Sequence, residues 1–86
     1  MTITLEKRID DIINNTEWLF FQNIDLIGKY VEKISRLENN ENAIYFQNEI
    51  ERYNNIIKDL KIENEEYLKE LDNLKILKLE ASLKIS

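Results

Sequence analysis

The sequence predicts an all-α fold: an antiparallel, coiled-coil-like helical hairpin that dimerises into a four-helix bundle. Three observations carry this reading. From Phe46 to Ile85 apolar residues recur at alternating intervals of three and four, which is the seam of a helix packed on another helix. A second stripe at helical spacing runs through the first half as Ile9, Ile13, Phe20, Ile24, Ile27, Val31 and Ile34. Between them lies Glu38-Asn39-Asn40-Glu41-Asn42, the one convincing turn in a chain with no proline and a single glycine, Gly28.

The first helix is expected over about residues 3–38. Met1 to Leu5 alternates like a short strand, but Thr2 or Thr4 can equally cap the helix, with Glu6 putting a negative charge where the helix dipole favours one, and the cap is the preferred reading. Asn14-Asn15, followed by Glu17, resembles the start of a new helix. A break there would reset the phase, however, and Ile9 and Ile13 stay in phase with Phe20 and Ile24. One continuous helix is therefore expected. Gly28 inside it costs about 1 kcal/mol relative to alanine.

The turn is expected at about residues 39–41, because asparagine tolerates the left-handed conformation that ends many helices. Asn40 then caps a second helix over about residues 42–84. Four-apart pairs at Lys61–Glu65, Glu65–Lys69 and Glu80–Lys84 support it, each by about 0.2–0.5 kcal/mol. Leu77 to Ile85 alternates like a strand, but its Leu, Lys, Glu and Ala residues favour helix and no turn residue precedes it. Helix is the preferred reading.

The second helix has two seam series. One is Ile50, Ile57, Asn64, Leu71, Lys78 and Ile85; the other is Phe46, Tyr53, Leu60, Tyr67, Leu74 and Ala81. A reversal at Asn40 pairs Ile34 with Phe46, Val31 with Ile50, Ile27 with Tyr53 and Ile24 with Ile57. Further along, Ile13 meets Tyr67, Leu5 meets Leu74, and the polar interruptions Thr16 and Asn64 face each other as register-setting residues. The chain is then expected to overhang its partner helix beyond residue 79.

Two helices cannot bury a shoulder formed by Ile12, Leu19, Leu26, Tyr30 and Leu37 beside the main stripe. Self-association into a homodimer or higher homo-oligomer is the simplest cover for it. Ile76, Leu79 and Leu83 form a second stripe off the seam, assigned to the same role.

Composition narrows function more than it defines it. The chain has 86 residues, 43% hydrophobic and 34% charged, with a net charge of −5, and makes at most one small domain. No run of five like charges occurs, so a nucleic-acid binder, which needs a basic face, ranks last. With no cysteine and no histidine the usual thiolate, imidazole and general-base chemistry is missing. Glu66 and Glu70, one turn apart, read as a solvated acidic face and not as metal ligands. No catalytic residue, cofactor or metal site is expected. The apolar run Trp18 to Ile24 is far shorter than the ~20 residues of a membrane span, and the first residues do not read as a signal peptide, so the expectation is cytoplasmic.

Trp18 and Phe21 stand apart from the rest of the first helix. They lie about 160° and 100° from the centre of its stripe, one turn apart, in the manner of aromatic anchors at protein interfaces. They are the candidate partner-binding residues. The function expected is that of a non-enzymatic regulator or inhibitor, of the kind a phage or plasmid encodes, binding a larger protein stoichiometrically. The alternative is a structural coiled-coil oligomerisation module.

Overall fold

The computed structural model describes residues 4–85, with side chains through Leu83. Thr2, the side chains of Lys84 and Ile85, and the start expected at residue 3 lie outside the described residues. Two long helices form an antiparallel hairpin: α1, Leu5–Glu38, and α2, Gln47–Ile85, joined through a 3₁₀ turn at Ala43–Phe46. No strand occurs among the described residues, and residues 77–85 are helical. The hairpin is a rod of 66 × 22 × 14 Å with a radius of gyration of 19.4 Å. A compact chain of this length would have a radius near 12 Å.

Local chemistry starts α1 as expected. Thr4 is extended and its Oγ1 accepts from the Lys7 N–H at 3.2 Å, with Glu6 in the first turn. The helix runs unbroken past Asn14-Asn15.

The turn departs from expectation. Asn39 ends α1 in the right-handed helical region, and no described residue has a positive φ. Asn40 does not cap α2. Its Oδ1 accepts from the Asn42 N–H at 2.9 Å and its carbonyl from the Ala43 N–H at 3.1 Å, which folds the backbone into a local Asx turn. The 3₁₀ turn then carries the chain across, so α2 begins at Gln47 and not at residue 42. A reversal spread over this many residues needs no left-handed asparagine.

The longer turn moves the register. Asn64 hydrogen-bonds Asn23 and not Thr16, a displacement of one heptad along α1. The same shift seats Val31 beside Ile57 in one groove and Leu5 beside Ala81 in another. Leu5 was expected opposite Leu74, and Ala81 was expected in a C-terminal overhang. Instead Ala81 is buried in a cluster with Ile9, Ile13, Leu71 and Leu74. A second cluster, Ile34, Ile50 and Ile57, lies near the turn, with Ile27, Tyr30, Leu37, Phe46 and Tyr53 packed on it. Tyr30 and Tyr53 meet with ring centroids 5.4 Å apart.

Lys78, a charge on the seam, is accommodated by an inter-helix ion pair with Asp10 at 2.7 Å. The other ion pairs within 4 Å among the described residues are Asp25–Lys29, Glu32–Arg36 and Glu49–Arg52. Lys61–Glu65 and Glu65–Lys69 are not among them. All three observed intra-helix pairs are exposed, and such pairs contribute only ~0.3–0.5 kcal/mol each.

Gly28 has no neighbour from the rest of the hairpin within 4 Å of where a Cβ would sit. Gly28→Ala should therefore raise stability by up to about 1 kcal/mol, seen as a rise of several degrees in Tm. A fall in Tm would mean that another chain approaches the backbone closely at this point.

Candidate binding surface and the polar waist

Between the two apolar clusters the hairpin has a polar waist. Thr16, Asn23 and Asn64 are its buried polar side chains, at 4%, 7% and 7% exposure. Asn23 Nδ2 donates to Asn64 Oδ1 at 2.9 Å and to Glu63 Oε1 at 3.0 Å. Asn64 Nδ2 donates to the Phe20 carbonyl of α1 at 3.3 Å, and the Tyr67 hydroxyl donates to Glu63 Oε1 at 2.8 Å. Thr16 satisfies itself within α1, its hydroxyl donating to the Ile12 carbonyl at 2.8 Å. No buried side-chain nitrogen or oxygen among the described residues lacks a partner. The waist joins the two helices by hydrogen bonds that would be costly to leave unmade.

This network sets the ionisation of its edge. Hydrogen bonds from Asn23 and then Tyr67 hold the Glu63 carboxyl below its ordinary value. The same bond to Glu63 holds the Tyr67 hydroxyl above its own. At the far end of the rod, the bond to Asp10 raises Lys78.

Trp18 and Phe21 stand on the outside of α1, 58% and 60% exposed, one turn apart. The Phe21 ring meets Phe20 edge to face, with centroids 5.4 Å apart, which tethers one of the pair to the half-buried layer beneath. Ile24, a further turn along, is also exposed. Asp11 and Asp25 lie one heptad to either side of Trp18 on the same helix face. The patch is thus apolar at its centre, with the Asp11 carboxylate at one end and the Asp25–Lys29 ion pair at the other.

The five shoulder residues divide. Tyr30 and Leu37 turn inward and pack on the Ile34–Ile50–Ile57 cluster, with the Lys33 ammonium 5.5 Å from the Tyr30 ring centre. Ile12 and Leu26 remain exposed and Leu19 half-buried. The reason is phase: Tyr30 and Leu37 continue the heptad series of Ile9, Thr16 and Asn23, which faces α2, whereas Ile12, Leu19 and Leu26 belong to the series beside it.

Asn23 is the residue that sequence reasoning missed. Its signal was available, since it is an asparagine on the inward series of α1, as Asn64 is on the seam of α2. Two buried asparagines are better placed against each other than against apolar neighbours.

No group of three or more His, Cys, Asp or Glu side chains among the described residues could hold a metal ion. No helix among them is long and apolar enough to cross a membrane. No protein-family model, curated protein or solved structure shows significant similarity to the chain.

The lowered Glu63 pKa gives a signed prediction. Its contribution to stability is complete above the ordinary glutamate value of 4.5. It is lost as pH falls from there through the lowered folded value. Glu63→Gln, which keeps an acceptor oxygen but cannot titrate, should lose less Tm than the unmodified protein over that acidic range. Equal losses would remove Glu63 from the network's energetics.

Proposed function

We propose that this chain is a non-enzymatic, protein-binding regulator that acts by stoichiometric association with a larger protein in the cytoplasm. The observation that carries the reading is the exposure of Trp18 and Phe21 on an uninterrupted helix, at 58% and 60%. Neither ring is required by either core cluster. Exposed aromatics on a rigid support lose little conformational entropy on docking, and Trp and Tyr dominate interface hot spots. The carboxylate of Asp11 on the same face suits a lysine or arginine at the rim of the partner's pocket. Absence of cysteine and histidine removes the commonest catalytic groups from consideration, and supports regulation over catalysis.

A second reading, a structural oligomerisation module, is favoured by one observation. No large side chain among the described residues is fully buried, so the hairpin alone leaves packing incomplete.

The two readings separate at Trp18 and Phe21. In the regulator, truncating either to alanine should weaken partner binding by about 30-fold or more, the equivalent of ~2 kcal/mol at a hot spot. Helicity and Tm should barely change. Isothermal titration with a partner isolated by crosslinking from the native host, followed by circular dichroism of each variant, makes the measurement. Retained affinity in both variants, or loss of helicity in both, would contradict the regulator reading at this surface.

A further inference from the structure

Thr16 is the least exposed of the described residues, at 4%, yet it takes no part in the bonds between the helices. Its hydroxyl serves the Ile12 carbonyl of its own helix. In the register set by Asn23 and Asn64 it lies level with Leu71. Thr16 and Asn23 stand one heptad apart on the inward series of α1, whereas Asn64 is the one buried polar side chain of α2 among the described residues. α1 therefore offers Asn64 two polar seats, about 10 Å apart along the axis, and Asn64 uses one of them.

We infer that the hairpin slides between two registers: α2 moves one heptad along α1, Asn64 passes from Asn23 to Thr16, and Ala43–Phe46 winds into α2. Three further features support the slide. The first is the seam. After the move Ile34 meets Phe46, Tyr30 meets Ile50, Ile27 meets Tyr53, Phe20 meets Leu60 and Ile9 meets Leu71, so apolar residues still face apolar ones. Lys78, which lies level with Ile9 in the observed register, leaves the seam for solvent.

Length is the second feature. α1 has 34 residues, while α2 has 39 and follows a 3₁₀ turn of four, so the whole of α1 is paired in either register. The third is the hinge. Ala43–Phe46 contains no glycine or proline, and Ile44 and Tyr45 are exposed at 77% and 81%. A 3₁₀ turn that runs directly into an α-helix needs only a shift of hydrogen-bond partner to join it. The slide leaves Asn23 facing Ile57, which makes the second register the minor one, populated on the order of 1–10%.

Such a slide couples the two ends of a 66 Å rod. Winding the turn into α2 at one end withdraws Leu77, Glu80 and Ala81 from Leu5 and Ile9 at the other, opening the cleft that these five residues line. Anything that holds either end in one register is thereby felt at the far end, as in one-heptad or one-turn ratchets of packed helices.

Spin labels on Lys29→Cys and Asn73→Cys, both exposed positions, measure the register directly. Their separation along the axis is about 22 Å in the observed register and about 33 Å after the slide. Asn23→Leu removes the preferred seat and should raise the longer distance about tenfold or more, with helical circular dichroism retained. Adding Thr16→Val, similar in size but without the hydroxyl, should reverse most of that gain. Should Asn23→Leu fail to fold, the chain with all three polar residues intact decides the matter. Phe20→Cys with Leu60→Cys, level only after the slide, should crosslink within single chains, and Thr16→Val should slow the reaction about tenfold. An unchanged short distance in folded Asn23→Leu, no intrachain crosslink, or a response indifferent to Thr16→Val would overturn the inference.

Discussion

The hydrogen bond between Asn23 and Asn64 is the constraint on which the remaining structure depends. A heptad seam has a degeneracy built into it: sliding one helix past the other by seven residues again sets apolar against apolar. Burial of hydrophobic surface therefore favours antiparallel pairing strongly but selects poorly among registers. Directional bonds do select. In the observed register Asn23 and Asn64 satisfy each other and draw in Glu63 and the Phe20 carbonyl. One heptad away, Asn64 would face Thr16, whose hydroxyl already donates to Ile12. Asn23 would then face apolar seam residues. A buried amide left without partners costs about 1–3 kcal/mol, comparable to the burial of a whole leucine side chain.

This division of labour explains the arrangement along the rod. Apolar clusters at either end, Ile9–Ile13–Leu71–Leu74–Ala81 and Ile34–Ile50–Ile57, hold the helices together. The waist between them aligns the two. Phase, which a shift of seven residues leaves unchanged, decides which residues stay on the surface: Tyr30 and Leu37 pack inside the hairpin, while Ile12 and Leu26 are exposed and Leu19 half-buried. A rod of this slenderness buries little, and Leu5, Ile12, Trp18, Phe21 and Leu26 all stay exposed along α1.

Much of this was legible in the sequence. The 3.5-residue period gave two helices, the Asn-rich segment gave the reversal, and the threonines Thr2 and Thr4 marked where the first helix is capped. Phase alone placed Trp18 and Phe21 outside. Register was not legible, because periodicity is blind to a shift of one period and the length of the reversal had to be assumed. Ala43–Phe46 contains no breaker, so nothing in its composition marked it off from α2. The resulting seven-residue error kept the seam intact, put Thr16 in place of Asn23 opposite Asn64, and left Ala81 in an overhang although it is buried against α1.

Register is therefore the property to measure. Ile13→Cys with Leu74→Cys reports the observed alignment, in which both positions share one buried cluster. Ile13→Cys with Tyr67→Cys reports the alignment one heptad away. Oxidative crosslinking within single chains should be fast for the first pair and slow for the second. When Asn23→Leu and Asn64→Leu are added, the second pair should gain as the two registers approach equal stability. Preferential crosslinking unchanged by loss of both asparagines would show that apolar packing alone sets the alignment, and would contradict the account.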